Sequence, residues 1–130
     1  MSTSTRETVI IDGLRTPFGK MGGALANLSA VKLASPLIKE LVDRNKIDAS
    51  QIDEVIIGQV LQAGCGQIPS RQALLDAGLP NTTESTTVNK VCASGMRAVT
   101  LADLRIRAND GDIILAGGME SMSQAPYLVE

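Results

Sequence analysis

A chain of 130 residues, 44% hydrophobic and 20% charged, has enough apolar content for the core of one domain and is not compositionally disordered. A net charge of -2 gives no general attraction to nucleic acid or anionic lipid, and no apolar run approaches the length of a bilayer span. Residues 1–7 lack a basic segment followed by an apolar one, so the expectation is a cytoplasmic protein with neither nucleic acid nor membrane as partner.

Two cysteines, Cys65 and Cys92, are expected to stay free thiols in a reducing compartment, and two such residues do not make a metal site. The absence of histidine matters more. Histidine is the commonest general base, so the base for any nucleophile of this chain is not a histidine of this chain.

In chain order, Thr8-Val9-Ile10-Ile11 is a β-branched apolar run that reads as a first strand, left through Asp12-Gly13. The following Gly13-Leu14-Arg15-Thr16-Pro17-Phe18-Gly19-Lys20 has its glycines too far apart for a P-loop. Met21 also stands where a hydroxyl should meet magnesium, so a structured loop is expected. Ser29 is placed to cap an amphipathic helix with Ala34, Leu37, Ile38, Leu41 and Val42 on its inner face. Pro36 either kinks that helix or marks its true start at Ser35-Pro36. Asp48 reads as the cap of a small turn packed by Ile47 and Ile52.

Residues 54–60 read as a strand whose unbroken apolar centre argues cover on both faces. The loop Gly64-Cys65-Gly66-Gln67 is half a dinucleotide fingerprint spoiled by Pro69. The proline instead opens a helix closed by Gly78 in a left-handed conformation, and Cys65 reads as incidental. Residues 81–85 are turn-like, and the third strand is expected from Thr86 to the elbow at Cys92. Residues 93–108 form a helix apolar nearly all round towards its start, hence expected inside the domain. A fourth strand ends at Gly117-Gly118. Strands alternate with helices, so the fold class is α/β, a layered fold whose sheet is expected to be mixed with about four strands. Pro126-Tyr127-Leu128-Val129-Glu130 adds no closing element, as expected of an incomplete domain.

Cys92 is the chemically pointed residue. A helix beginning at or just after it would aim unpaired amides and the positive end of the helix dipole at its sulfur, favouring thiolate, while Ala93, Ser94 and Gly95 leave room for a substrate carbonyl. The competing reading is a buried packing cysteine.

Four segments together resemble the N-terminal part of the thiolase family. They are Arg15-Thr16-Pro17-Phe18-Gly19, Gly66-Gln67-Ile68-Pro69-Ser70-Arg71-Gln72-Ala73, Asn89-Lys90-Val91-Cys92-Ala93-Ser94-Gly95-Met96-Arg97-Ala98 and Ala116-Gly117-Gly118-Met119-Glu120-Ser121-Met122-Ser123. The resemblance implies a thiolase-like layered fold, with residues 1–130 as the N-terminal part of its first half. It implies Cys92 as the nucleophile acylated by an acyl-CoA, with its backbone N–H in the oxyanion hole. It also implies coenzyme A thioesters as substrates with no permanently bound cofactor, and a homodimer or homotetramer with the third strand near the two-fold interface. The family's histidine and second cysteine lie downstream of what is present here, so the fragment alone is expected to be inactive. Two other readings are a ketoacyl-synthase-type condensing enzyme, which shares the elbow cysteine, and a non-catalytic α/β binding or assembly module. Residues 116–123 are expected to close a strand without touching substrate, and Arg15, Arg71 and Arg97 to serve surface or structural ion pairing rather than CoA phosphates.

Overall fold

The computed structural model describes residues 6–129. Residues 1–5, part of the leader reading, and Glu130 lie outside the described residues.

Helix α1 (Ala30–Arg44) starts at Ser29, whose side chain accepts the Lys32 N–H, and runs unbroken through Pro36. Of the two sequence alternatives for Pro36, the later start is therefore excluded. Pro36 is exposed, while Ala30, Ala34, Ile38 and Val42 are buried, so packing of the inner face outweighs one missing backbone donor. A short turn over residues 49–51 follows, capped by Asp48 through the Ser50 N–H.

Strand β1 (Glu54–Gly58) is buried along its whole length. Helix α2 (Pro69–Asp76) begins with its proline at the first helical position and ends in a Schellman motif. Gly78 at φ 88° donates to Leu75 O at 3.0 Å, and Leu79 donates to Leu74 O at 3.1 Å. Strand β2 (Glu84–Val88), helix α3 (Ser94–Arg107) and strand β3 (Ile114–Gly118) complete the chain's regular elements.

The three strands are all parallel, in the order β2-β1-β3. Parallel neighbours need long crossovers, which α2 and α3 supply. Alternation along β1 divides the core. Val55 and Ile57 join the cluster under α1 and α2, whereas Ile56 meets Ala98 and Ala102 of α3 on the opposite face. Each of these valine and isoleucine side chains, when fully buried, contributes about 1.5–3 kcal/mol. At the other end of the second face, Arg105 of α3 forms an ion pair with buried Glu54, whose second oxygen accepts the Thr86 hydroxyl at 2.5 Å. The hydrogen bond from Arg105 to Glu54, above all other causes, raises the Arg105 pKa.

The layered α/β class stands, but three details are corrected. The sheet has three parallel strands among the described residues, not a mixed set of four. Residues 8–11 form no regular element and pair with no strand, with Ile10 82% exposed: β propensity makes no strand where no sheet edge receives it. The run is tethered at its ends instead, by the ion pairs of Arg6 with Asp112 and of Asp12 with Arg44. Arg44 and then Asn45 hold the Asp12 carboxyl down to about 2. Finally, α3 buries only Ser94, Ala98 and Ala102, and Met96 is 68% exposed. Its apolar outer face has no covering element among the described residues.

Asp53, just before β1, accepts the N–H groups of Asp112 (2.6 Å) and Ile113 (3.0 Å) ahead of β3. These two bonds lower its pKa. The stability this supplies is complete above the unfolded carboxylate pKa of about 3.9 and disappears as pH falls through the lower folded value. Asp53→Asn is expected to lower the urea midpoint at pH 7 and to lower it less at pH 3. Equal losses at both pH values would rule out the charged carboxylate as the source. Gly58 gives a second test. A Cβ built there would lie 2.2 Å from the Ser94 carbonyl carbon, so Gly58→Ala is expected to destabilise by about 3 kcal/mol or more. Gly78→Ala has open space but the wrong φ, and should cost only about 1 kcal/mol on the same urea titration.

Candidate functional site

Because the strands are parallel, their carboxyl ends share one end of the sheet. There the chain leaves β1 towards α2 on one face and β2 towards α3 on the other, the kind of crevice in which open α/β sheets bind ligands. Cys92 lies in the turn between β2 and α3 and is exposed.

The turn is built by local polar contacts. Asn89 Oδ1 accepts the Val91 N–H at 2.9 Å, and Lys90 O accepts the Ala93 N–H at 3.1 Å. Buried Ser94 reaches backwards, its hydroxyl accepting the Lys90 N–H at 2.8 Å and donating to Val91 O at 2.5 Å. Val91 itself sits at φ 51°, a left-handed conformation that costs a β-branched residue about 1–3 kcal/mol. Strand geometry therefore ends at Val88 rather than continuing to Val91 as the β-branched run predicts, and it begins at Glu84, inside the expected turn. The helix starts at Ser94, two residues beyond Cys92. Among the described residues the amides of Cys92, Gly95 and Met96 have no hydrogen-bond acceptor, so unpaired donors remain at the start of α3.

Close backbone approach sets the height of this turn. The first turn of α3 lies on Gly58 and Gly118, and a Cβ on Gly118 would come within 3.2 Å of Gly95 Cα. Above that floor opens a cleft of about 500 Å³, lined by Cys92, by Phe18 and Met21 of the loop before α1, and by Met119 and Glu120 after β3. The Glu120 carboxylate accepts the N–H groups of Val60 (2.9 Å) and Leu61 (3.0 Å) beyond β1. Next along the chain, Ser121 Oγ donates to Leu28 O at 2.6 Å, Ser123 Oγ accepts the Gly22 N–H at 2.9 Å, and Gln124 Nε2 donates to Ala26 O at 2.5 Å. A five-residue strap thus fastens the loop that walls the cleft.

Residues 8–130 match the family described as "Thiolase, N-terminal domain". The chain belongs to the thiolase family. It is 51% identical over 126 residues to a mitochondrial acetyl-CoA acetyltransferase of Danio rerio, covering 97% of this chain and 30% of that protein. It is 50% identical over 125 residues to an acetyl-CoA acetyltransferase of Escherichia coli, covering 96% and 32% respectively. The crystal structure of the Bacillus anthracis acetyl-CoA acetyltransferase superposes with a TM-score of 0.86 at 38% identity, over 90% of this chain and 30% of that one. The chain therefore spans about a third of the length of these relatives.

Within this thiolase N-terminal domain, three of the four motif segments meet at the cleft: residues 16–19 of the first, Cys92 of the third and residues 118–123 of the fourth. Residues 66–73 instead form the loop and start of α2, where Gln72 Nε2 donates to the carbonyls of Cys65 (2.7 Å) and Gln67 (2.9 Å). Cys65 is half-buried, with Gln59 Nε2 3.4 Å from its sulfur, and does not line the cleft. The three arginines make no ion pair among the described residues. Arg71 ties α2 to the carbonyls of Thr83 and Asn81, both at 2.6 Å, Arg97 reaches Thr100, and Arg15 lies over the Phe18 ring. The expected ion pairing is therefore corrected: their contacts are to carbonyls, a hydroxyl and an aromatic face in place of carboxylates. The side chains of Asn89, Ser94 and Glu120 carry site geometry that sequence reasoning did not assign. An Asx-type Asn two residues before a left-handed position was the one local signal available.

Val91→Gly is expected to raise stability by about 1 kcal/mol, since glycine adopts φ 51° freely and an exposed side chain gives up little burial. A downward shift of the urea midpoint would show that the turn is not strained.

Proposed function

We propose that this chain carries the nucleophile of an acyl-CoA acyltransferase of the thiolase type. The observation that supports it most is an exposed Cys92 lining an open cleft, in a turn where the amides of Cys92, Gly95 and Met96 have no acceptor among the described residues. The names of its relatives supply the substrate class, acetyl-CoA.

In this reading Cys92 Sγ, as thiolate, adds to the thioester carbonyl of an acyl-CoA. The tetrahedral oxyanion is met by the Cys92 N–H and a second donor from outside this chain, and collapse expels the CoA thiolate and leaves an acyl-cysteine. The exchange trades one thiolate for another of similar energy, so a sulfur nucleophile suits it. A carbanion formed at the α-carbon of a second acyl-CoA then attacks the acyl-cysteine, making the new carbon–carbon bond and returning the Cys92 thiolate. The reverse sequence cleaves a 3-ketoacyl-CoA, as acyl-CoA and fatty acid metabolism requires. Proton transfers fall to groups outside the 130 residues, because this chain has no histidine.

Residues 1–130 serve, on this reading, as the N-terminal part of the first half of the enzyme. Free Cys65 and Cys92 agree with a reducing, cytoplasmic setting. The unpaired outer edge of β2 offers a place for subunits to meet as a dimer or tetramer.

In the full-length enzyme, iodoacetamide at neutral pH is expected to label Cys92 faster than Cys65, and Cys92→Ser to lower turnover by at least about 10³-fold. Equal, slow labelling of both cysteines with turnover intact in the Ser variant would favour the binding-module reading. The 130-residue chain by itself is expected to give no thiolysis of acetoacetyl-CoA.

A further inference from the structure

The carboxylate of Glu120 is half-buried on the cleft wall, on the far side of β1 from the cysteine turn. Its two oxygens are both committed, Oε2 to the Val60 N–H at 2.9 Å and Oε1 to the Leu61 N–H at 3.0 Å. From there the contacts continue. The Val60 carbonyl accepts Asn89 Nδ2 at 3.4 Å, and the other end of the same amide, Asn89 Oδ1, accepts the Val91 N–H at 2.9 Å. Val91 is the strained residue directly before Cys92. Strain persists only where surroundings over-determine the conformation, and here the restraint comes through Asn89.

We propose that Glu120 is a positioning residue for Cys92, acting through a relay that runs from its carboxylate to the Val60 peptide, to the Asn89 side chain, to the Val91 amide. The proposal rests on Cys92 being the nucleophile, and it gives the segment after β3 a role without contact to substrate. Chemistry favours a carboxylate at this point. An ionised group with two acceptor oxygens satisfies two adjacent N–H donors at once, and hydrogen bonds to an ionised acceptor are roughly twice as strong as neutral ones. Glutamine has the same shape but only one acceptor oxygen, and its amide nitrogen would face a donor. Asn89 is the single joint between the two halves of the relay, since it touches the β1 exit with one end of its amide and the cysteine turn with the other.

The test separates the geometry from the catalysis. In the 130-residue chain, Glu120→Gln is expected to speed amide hydrogen exchange at Val60 and Leu61 about tenfold while Ile56 and Ile57 stay protected. Unchanged exchange at Val60 and Leu61 would overturn the first link. In the full-length enzyme, Glu120→Gln and Asn89→Asp are each expected to lower kcat about tenfold with KM for acetyl-CoA within about twofold. Asn89→Asp keeps an acceptor for the Val91 N–H and loses the donor to Val60, but it also brings a negative charge to the cysteine turn, so the comparison with the double variant carries the diagnosis. The double variant should be no slower than the slower single variant, as for residues acting through one path. Multiplied losses in the double variant, or an Asn89→Asp enzyme with unaltered kcat, would overturn the relay. If Cys92→Ser retained turnover, the nucleophile assignment would fail, whereas the hydrogen-exchange result would still stand or fall on its own.

Discussion

The contact between the first turn of α3 and the glycine floor of the sheet is the constraint on which the rest of this structure depends. Gly58 in the central strand and Gly118 at the end of β3 lie opposite each other in register, and both face α3. Removing Cβ from both positions lets helix backbone rest directly on strand backbone, so the turn before the helix sits at the mouth of the crevice rather than a side chain's width above it. Ser94 then becomes the buried pivot of that turn, and Cys92 is left outside it. A larger residue at 58 would lift α3, and with it every donor near the sulfur.

What the helix contact fixes in height, polar contacts fix in direction. Val91 is held at positive φ not by its own side chain, which is 66% exposed, but by Asn89 before it and Ser94 after it. The local cost of about 1–3 kcal/mol is of the same order as the hydrogen bonds that oppose it. The turn therefore keeps its shape only while those side chains are in place, which links the small polar residues around Cys92 to its exposure.

How much of this could be read from the sequence follows from which interactions are local. The Ser29 cap, the Asp48 cap, Pro69 at the head of α2 and Gly78 at its end are each decided within a few residues, and each appears where expected. The continuous apolar run of β1 likewise implied cover on both faces and received it. Failures came where the outcome depends on something distant. Residues 8–11 carry strand propensity but meet no edge, and α3 carries a nearly all-round apolar surface but meets the sheet on one side only. Val91 reads as strand by its branching and is bent out of strand geometry by two polar neighbours. At the cleft, Cys92 was legible as a residue type at a strand-to-helix junction. The wall contributed by residues 118–123 was not, because its contacts to Val60 and to Leu28 span 60 and 93 positions.

Two of those distant contacts share one physical device. Asp53 precedes β1 and grips the amides of Asp112 and Ile113 that lead into β3; Glu120 follows β3 and grips the amides of Val60 and Leu61 that follow β1. The β1–β3 pair is thus clasped at both ends by a carboxylate from one strand on consecutive N–H groups of the other. Consecutive amides at a strand end are groups the ladder leaves unpaired, and an ionised carboxylate is the side chain that satisfies two of them together. The arrangement also specifies register. A slip of one residue between β1 and β3 would turn either Ile56 away from α3 or Gly118 away from Gly95, whichever strand moved, and it would offset both carboxylates from their amides at once. The clasp at the carboxyl ends borders the cleft that Cys92 lines. The same interaction that sets the register of the sheet therefore also sets one wall of the crevice in which Cys92 stands.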